Sequence, residues 1–134
     1  DELLDALKDP RYNVRYEAII AMARMRPDPR IIASLQEVVT GTELSLTGPA
    51  IWALGRLGAR ESIPVLRQTM EAEFASIRAS GARALGTLRD SGSEQILLEH
   101  LDGESTVGSR MAYASALGNL GSKNAVPKIL NMLD

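Results

Sequence analysis

The sequence predicts an all-α solenoid, a stack of about nine helices arranged as hairpins. Three observations carry that prediction. A short segment recurs about every 31 residues, apolar residues inside each copy fall at helical spacing, and the hydrophobic content comes from alanine, leucine and isoleucine rather than aromatic side chains. Small and aliphatic residues of that kind favour close-packed helices over a β-sandwich.

The recurring segment is Ala21-Met22-Ala23-Arg24-Met25, which returns as Ala53-Leu54-Gly55-Arg56-Leu57, Ala84-Leu85-Gly86-Thr87-Leu88 and Ala116-Leu117-Gly118-Asn119-Leu120. The steps from Met22 to Leu54, Leu85 and Leu117 are 32, 31 and 32 residues. A fixed period of this length is the signature of a repeat architecture. A second echo lies upstream, at Val14-Arg15, Leu46-Thr47, Ile77-Arg78 and Ser109-Arg110. A third lies downstream, where Ile63-Pro64-x-Leu66-x3-Met70 matches Val126-Pro127-x-Ile129-x3-Leu133.

Each unit reads as two helices. Helix A runs from near Val14 to Met25, with Ile19, Met22 and Met25 on one face. Its counterparts place Ile51, Leu54 and Leu57, then Ala114, Leu117 and Leu120, in the same slots. Helix B runs from about Pro64 to Met70, again with counterparts at the period. Gly58 and Gly121 fit the left-handed conformation that closes a helix. Asp9-Pro10 and Asp28-Pro29 read as a capping carboxylate ahead of a helix-starting proline. Ser62 and Ser93 read as caps for helix B. Gly55, Gly86 and Gly118, with Ala23, leave almost no side chain at one helix A slot. Glycine inside a helix costs about 1 kcal/mol against alanine, and close approach between stacked units would offset that.

Leu3, Leu4 and Leu7 resemble Leu97, Leu98 and Leu101, so residues 1–8 read as a lone helix B. The chain divides into that half repeat and four full repeats, 9–41, 42–71, 72–103 and 104–134, forming one domain. Solenoid ends normally carry a polar cap. Here the last helix still shows Leu130 and Leu133, which suggests a fragment of a longer solenoid or ends that pair with another chain, including end-to-end self-association.

The pattern Asp9-Pro10-x3-Val14-Arg15-x2-Ala18, then Ala53-Leu54-Gly55-x-Leu57-Gly58 and Ile63-Pro64-x-Leu66, resembles the short HEAT-like repeat, the form named after phycobilisome lyases. The resemblance covers essentially the whole chain. It implies a right-handed superhelix, with B helices on the concave side and A helices on the convex side. It also implies a choice among scaffolds, phycobilin lyases, a di-iron hydroxylase and DNA-repair proteins. The hydroxylase type uses repeated His-Glu pairs, whereas this chain has the single histidine His100, which follows Glu99. Similar repeats also occur as appendages of membrane transporters.

Net charge is −2, from 15 basic and 17 acidic residues, so nothing draws the chain generally to nucleic acid. With no cysteine, a thiolate metal site, a disulfide framework and a cysteine nucleophile are excluded. The longest apolar run, Ala18 to Ala23, is too short to span a bilayer. No phosphate-binding loop, dinucleotide fingerprint, His-Glu-x2-His or Gly-x-Ser-x-Gly is present. These absences lead to the expectation of a chain that is not an enzyme and holds no cofactor or metal.

Three sets of residues stand out as candidates. If helix B buries Ile63, Leu66 and Met70, the opposite face carries Asp5, Glu37, Gln68, Glu99 and Asn131 at the repeat period, with Glu71, Asp102 and Asp134 beside them. That acidic, concave face would attract a basic protein segment and repel phosphate; the alternative is an ordinary solvated face. On the convex side, Trp52 with Ile20 and Tyr16 could anchor a partner, or simply pack between A helices. Arg15, Arg78 and Arg110 recur at one slot, with Asp9 six residues before Arg15 and Glu104 six before Arg110, which suggests a structural ladder of turn carboxylates and helix arginines. The sequence therefore points to a cytoplasmic, non-catalytic scaffold that binds a protein. A phycobilin lyase-like module taking a linear tetrapyrrole in its groove, and a regulatory appendage of a larger protein, remain as alternatives.

Overall fold

The computed structural model describes residues 2–132, and expectations that involve Asp1, Leu133 or Asp134 lie outside them. Nine α-helices occur among the described residues, with no strand. The A helices are α2 (Tyr12–Met22), α4 (Leu44–Arg56), α6 (Ala75–Thr87) and α8 (Val107–Asn119). The B helices are α1 (Glu2–Ala6), α3 (Pro29–Thr40), α5 (Ile63–Gln68), α7 (Glu94–Gly103) and α9 (Ala125–Met132). A 3₁₀ turn, Thr69–Glu71, prolongs α5. The protein is thus an all-α solenoid.

The A helices stack on one another, α2 on α4, α4 on α6 and α6 on α8. The B helices α1, α3, α5 and α7 each pack against the A helix that follows, most extensively α3 on α4 and α7 on α8, and α9 packs on the preceding α8. One continuous core results, in which Ile19, Met22, Leu35, Ile51, Leu54, Leu66, Leu85, Leu97, Tyr113 and Leu117 are sealed from solvent. Removing apolar surface from water at about 25 cal/mol per Å2 drives this stacking.

Small residues set how closely the A helices approach. A Cβ on Gly86 would stand 2.7 Å from the Ala116 Cα, and one on Gly55 would stand 3.4 Å from the Ala84 Cα. Nothing lies within 4 Å of the same point on Gly118. The glycine slot is therefore a backbone contact where another A helix lies against it.

Helix ends show both agreement and correction. Gly58 and Gly121 adopt φ of 67° and 69°, as their position after helix A requires. Arg89 takes the same place in the third unit at φ 54°, the only non-glycine residue there among those described. Asp28 caps α3, its carboxylate accepting from the Arg30 N–H at 2.8 Å with Pro29 at the first helical position. Asp9 does not cap α2. That helix begins at Tyr12, and the Asp9 carboxylate closes the preceding turn by accepting from the Arg11 N–H at 2.8 Å. Ser62 and Ser93 do not cap their helices either, because their buried hydroxyls turn sideways, to Gln36 and Asp90 respectively. Met25, expected on the buried face of helix A, lies past the end of α2 and is half exposed. Among the described residues, no helix is long and apolar enough to cross a membrane.

Candidate functional site

The B-helix face carries the carboxylates that the repeat period aligns. Asp5, Glu37, Gln68, Glu99 and Asn131 are all exposed, as are Glu71 and Asp102. Two of them already have neighbours. Asp102 pairs with Lys128 from α9, and Glu99 accepts from the Gln95 amide at 3.1 Å. Glu37 and Glu71 have no cation against them among the described residues.

Between the end of α5 and the length of α7 this face sinks into an open groove of about 550 Å3. Met70, Glu71 and Ala72 form one wall; Glu99, His100 and Gly103 form the other. That volume lies within the range of small-molecule sites. His100 fixes the width of the groove. Its Nε2 lies 2.6 Å from the Met70 carbonyl oxygen and its Nδ1 lies 3.1 Å from the Ile96 carbonyl oxygen. A neutral imidazole has one N–H, so it can donate to one of these carbonyls at a time. The ring also stands edge-on to Tyr113, centroids 5.9 Å apart.

Behind the groove, charge is locked in place. Arg78 on α6 donates through Nε to Glu104 at 2.8 Å, and its Nη1 donates to the Ala72 and Glu73 carbonyls at 2.7 and 2.9 Å. The same Glu104 carboxylate accepts from the Tyr113 hydroxyl at 3.1 Å. The Arg78 guanidinium holds the Glu104 carboxyl below its ordinary range. Burial, followed by the nearby Glu104 charge, pushes the Tyr113 hydroxyl up to about 12. Held in this way, Arg78 and Glu104 shape the wall, and the groove's carboxylate acceptors are Glu71 and the Glu99 oxygen that Gln95 does not occupy.

The arginine slot differs from the sequence expectation. Arg15 and Arg78 each bind a carboxylate that leads into the following A helix, 28 and 26 residues ahead, Glu43 and Glu104 respectively. The residue six before the arginine offers its carbonyl instead, Asp9 to Arg15 at 2.7 Å and Ala72 to Arg78 at 2.7 Å. The Asp9 side chain belongs to Arg11, which holds its carboxyl down at about 2. Arg110 is not paired with Glu104, since that carboxylate faces back to Arg78, and the Arg110 Nε is buried without a partner among the described residues. A turn carboxylate points towards the preceding unit, not into the helix it introduces. The signal was present in the spacing of Arg15 to Glu43 and of Arg78 to Glu104, slightly less than one period each time. The groove, and the bridging role of His100, left no comparable trace, because they depend on where two successive B helices end.

On the A-helix side, Tyr16, Ile20 and Trp52 come together with Gly48, Pro49 and Ser80 around a shallow groove of about 460 Å3. Trp52 is 46% exposed, and the Arg56 guanidinium lies over its ring at 5.9 Å. Tyr12 extends the patch by stacking on Tyr16 at 6.3 Å.

A stack of paired helices joined by repeated arginine–carboxylate links defines an α-helical repeat protein. HEAT-repeat profiles match residues 1–72 and 45–107, and the PBS lyase HEAT-like repeat matches residues 109–134. The chain belongs to the HEAT-repeat family. It is similar to the phycocyanobilin lyase subunit alpha of Nostoc sp. (strain PCC 7120 / SAG 25.82 / UTEX 2576), with 30% identity over 118 residues, 78% of this chain and 43% of that protein. Among solved structures it resembles a chain in the complex of CpcE and CpcF of phycocyanin lyase from Nostoc sp. PCC7120. The TM-score is 0.80 at 26% identity, over 93% of this chain and 54% of that one. The chain therefore spans about half the length of these relatives, or less.

These relatives overturn one expectation from the sequence. The lack of catalytic motifs suggested a chain that is no enzyme, yet the proteins it resembles are lyase subunits. The motifs sought belong to nucleotide, metal and serine chemistry. A groove built between repeats, which holds and orients a substrate, needs none of them.

Proposed function

We propose that this chain is a phycobilin lyase-type module that takes a linear tetrapyrrole in the groove between α5 and α7. The observation that carries this reading is its similarity to phycocyanobilin lyase subunit alpha across most of its length. The groove's chemistry supports it. A linear tetrapyrrole presents flat apolar rings and a row of ring N–H donors. Ala72 offers apolar wall, while Glu71 and Glu99 offer acceptors on opposite sides. A carboxylate beside the ring nitrogens favours their protonated form, which fixes the geometry of the bound pigment and alters its absorption.

The test is to mix the purified chain with phycocyanobilin and record the visible spectrum. A saturable shift and sharpening of the long-wavelength band is expected, together with its loss in a Glu71→Gln, Glu99→Gln double variant whose circular dichroism is unchanged. A spectrum identical to that of free pigment would sink the proposal.

A second reading concerns protein docking, and the exposure of the whole acidic B-helix row favours it. On this reading a basic segment of a partner binds along Asp5, Glu37 and Glu99, chiefly through association rate and specificity. Reversal of these three residues to lysine should abolish that binding, and unchanged binding would remove the row from consideration.

A further inference from the structure

The two sides of the solenoid differ in charge. Among the four A helices there is one acidic residue, Glu17 on α2; α4, α6 and α8 have none. Their outward side instead carries arginines at recurring places. Arg56 lies over Trp52. Arg24 follows one turn beyond Ile20, at the slot Arg56 holds one unit later, and Arg83 holds the Trp52 slot on the next A helix. All three are exposed, and none meets a carboxylate among the described residues. Arg15, Arg67 and Arg78, by contrast, are each neutralised by a carboxylate at a unit junction.

Arg56 borders an apolar groove through Trp52, while Arg24 follows Ile20 by four residues and Arg83 follows Ser80 by three, next to that lining in sequence. Tyr16, Ile20 and Trp52 line the groove, with Tyr12 stacked alongside. A volume of about 460 Å3, open to solvent, suits one or two inserted side chains. Exposed aromatic surface bordered by arginine is the composition of an interface anchor and its rim.

We infer that the A-helix side docks an acidic, amphipathic segment of a partner protein. One or two apolar side chains of that segment seat against Trp52, Ile20 and Tyr16, and its carboxylates meet Arg24, Arg56 and Arg83. This site lies on the opposite set of helices from the tetrapyrrole groove, and it stands whether or not that groove takes a pigment. Charge selects a polypeptide over a nucleic acid. A phosphate chain needs a continuous basic track, whereas this chain has net charge −2 and Glu17 on the same helix as Tyr16 and Ile20.

Trp52 is the only tryptophan in the chain, so its emission reports on this groove alone. The probe is a synthetic helical peptide of roughly 15 residues, with leucines at i, i+3, i+4 and i+7 and glutamates elsewhere. A control peptide keeps the leucines and replaces every glutamate with glutamine. The glutamate peptide should shift Trp52 emission saturably, with affinity that weakens as salt rises. The glutamine peptide, and an Arg24→Glu, Arg56→Glu, Arg83→Glu variant, should each bind about tenfold more weakly or worse. If the triple variant fails to fold, the two peptides on the unaltered protein still decide the matter. No emission change, equal affinity for both peptides, or tighter binding of a single-stranded oligonucleotide than of the glutamate peptide would each overturn the inference.

Discussion

Arg78 and Glu104 join two repeats through a bond the Arg15–Glu43 pair repeats in a wetter setting. The Arg78 Nε lies 2.8 Å from the Glu104 carboxylate, whose side chain is only 11% exposed. The Arg15 Nε lies 3.1 Å from the Glu43 carboxylate, whose side chain is 41% exposed. The arginines share one slot while their carboxylates lie 28 and 26 residues ahead, and the two carboxylates differ sharply in water access. Solvent screening leaves an exposed pair little net value, whereas removing one charge from a desolvated pair strands the other.

Glu104→Gln should therefore cost about 1–3 kcal/mol of unfolding free energy, because Arg78 loses its counter-charge while the amide can still accept from Tyr113. Glu43→Gln should cost under about 1 kcal/mol. Urea denaturation of the two variants beside the unaltered chain measures both. Equal losses would show that burial does not decide the strength of these links.

Acid should weaken the same junctions. Arg78 holds the Glu104 carboxyl below its ordinary value of 4.5, and Arg67, with help from the Ser93 hydroxyl, holds the buried Asp90 carboxyl below 3.8. A depressed carboxylate contributes stability that is complete above its unfolded value and lost as pH falls through its folded value. Thermal midpoints should hold between roughly pH 7 and 5 and decline below about pH 4.5. An Asp90→Asn variant should start lower at neutral pH and show a shallower acid decline; a decline as steep as in the unaltered chain would place the acid sensitivity elsewhere.

The glycine slot makes a matched comparison. A Cβ on Gly86 would press against the Ala116 backbone at 2.7 Å, which cannot move without shifting α8. Nothing lies within 4 Å at Gly118, which holds the same last-but-one place in α8 that Gly86 holds in α6. Gly86→Ala should destabilise by about 1–3 kcal/mol through overpacking. Gly118→Ala should be neutral or stabilise by up to about 1 kcal/mol through helix propensity. Chemical denaturation of both reads the difference, and similar effects would mean that close A-helix approach does not explain the glycine.

The repeat was legible because it is written in residues that packing demands at every unit. Leu54, Leu85 and Leu117 fill one core slot, and Gly55 and Gly86 admit the next helix. Trp52, Ile20 and Tyr16 were also legible as neighbours, since equal slots on successive A helices must lie side by side. The ion pairs were harder. Counting six residues back from an arginine locates a backbone carbonyl, and the carboxylate comes from the next turn ahead. Glu99 and Glu71 were legible as members of the B-helix face, because the period places them there. The groove's position and the bridge from His100 were not, because they depend on where α5 tightens into a 3₁₀ turn beside α7, a local departure from the period.

Tyr113 should reveal the closed side of the same junction at high pH. Its ring is sealed from solvent, and its hydroxyl is raised from 10.0 to about 12, first by burial and then by the Glu104 charge. Between those values the unfolded chain releases this proton and the folded chain keeps it, so rising pH favours unfolding. Stability should be unaffected by Tyr113 below pH 10 and should fall progressively as pH rises from about 10 to 12. Tyrosinate absorbance followed by alkaline titration should contain a late component that appears near 12 or together with the loss of helical circular dichroism. Tyr113→Phe should remove that component and flatten the alkaline decline, at the expense of the hydroxyl's bond to Glu104. A late component that persists in the Phe variant would assign it to another tyrosine and leave the packing of Tyr113 against His100 without its expected chemical signature.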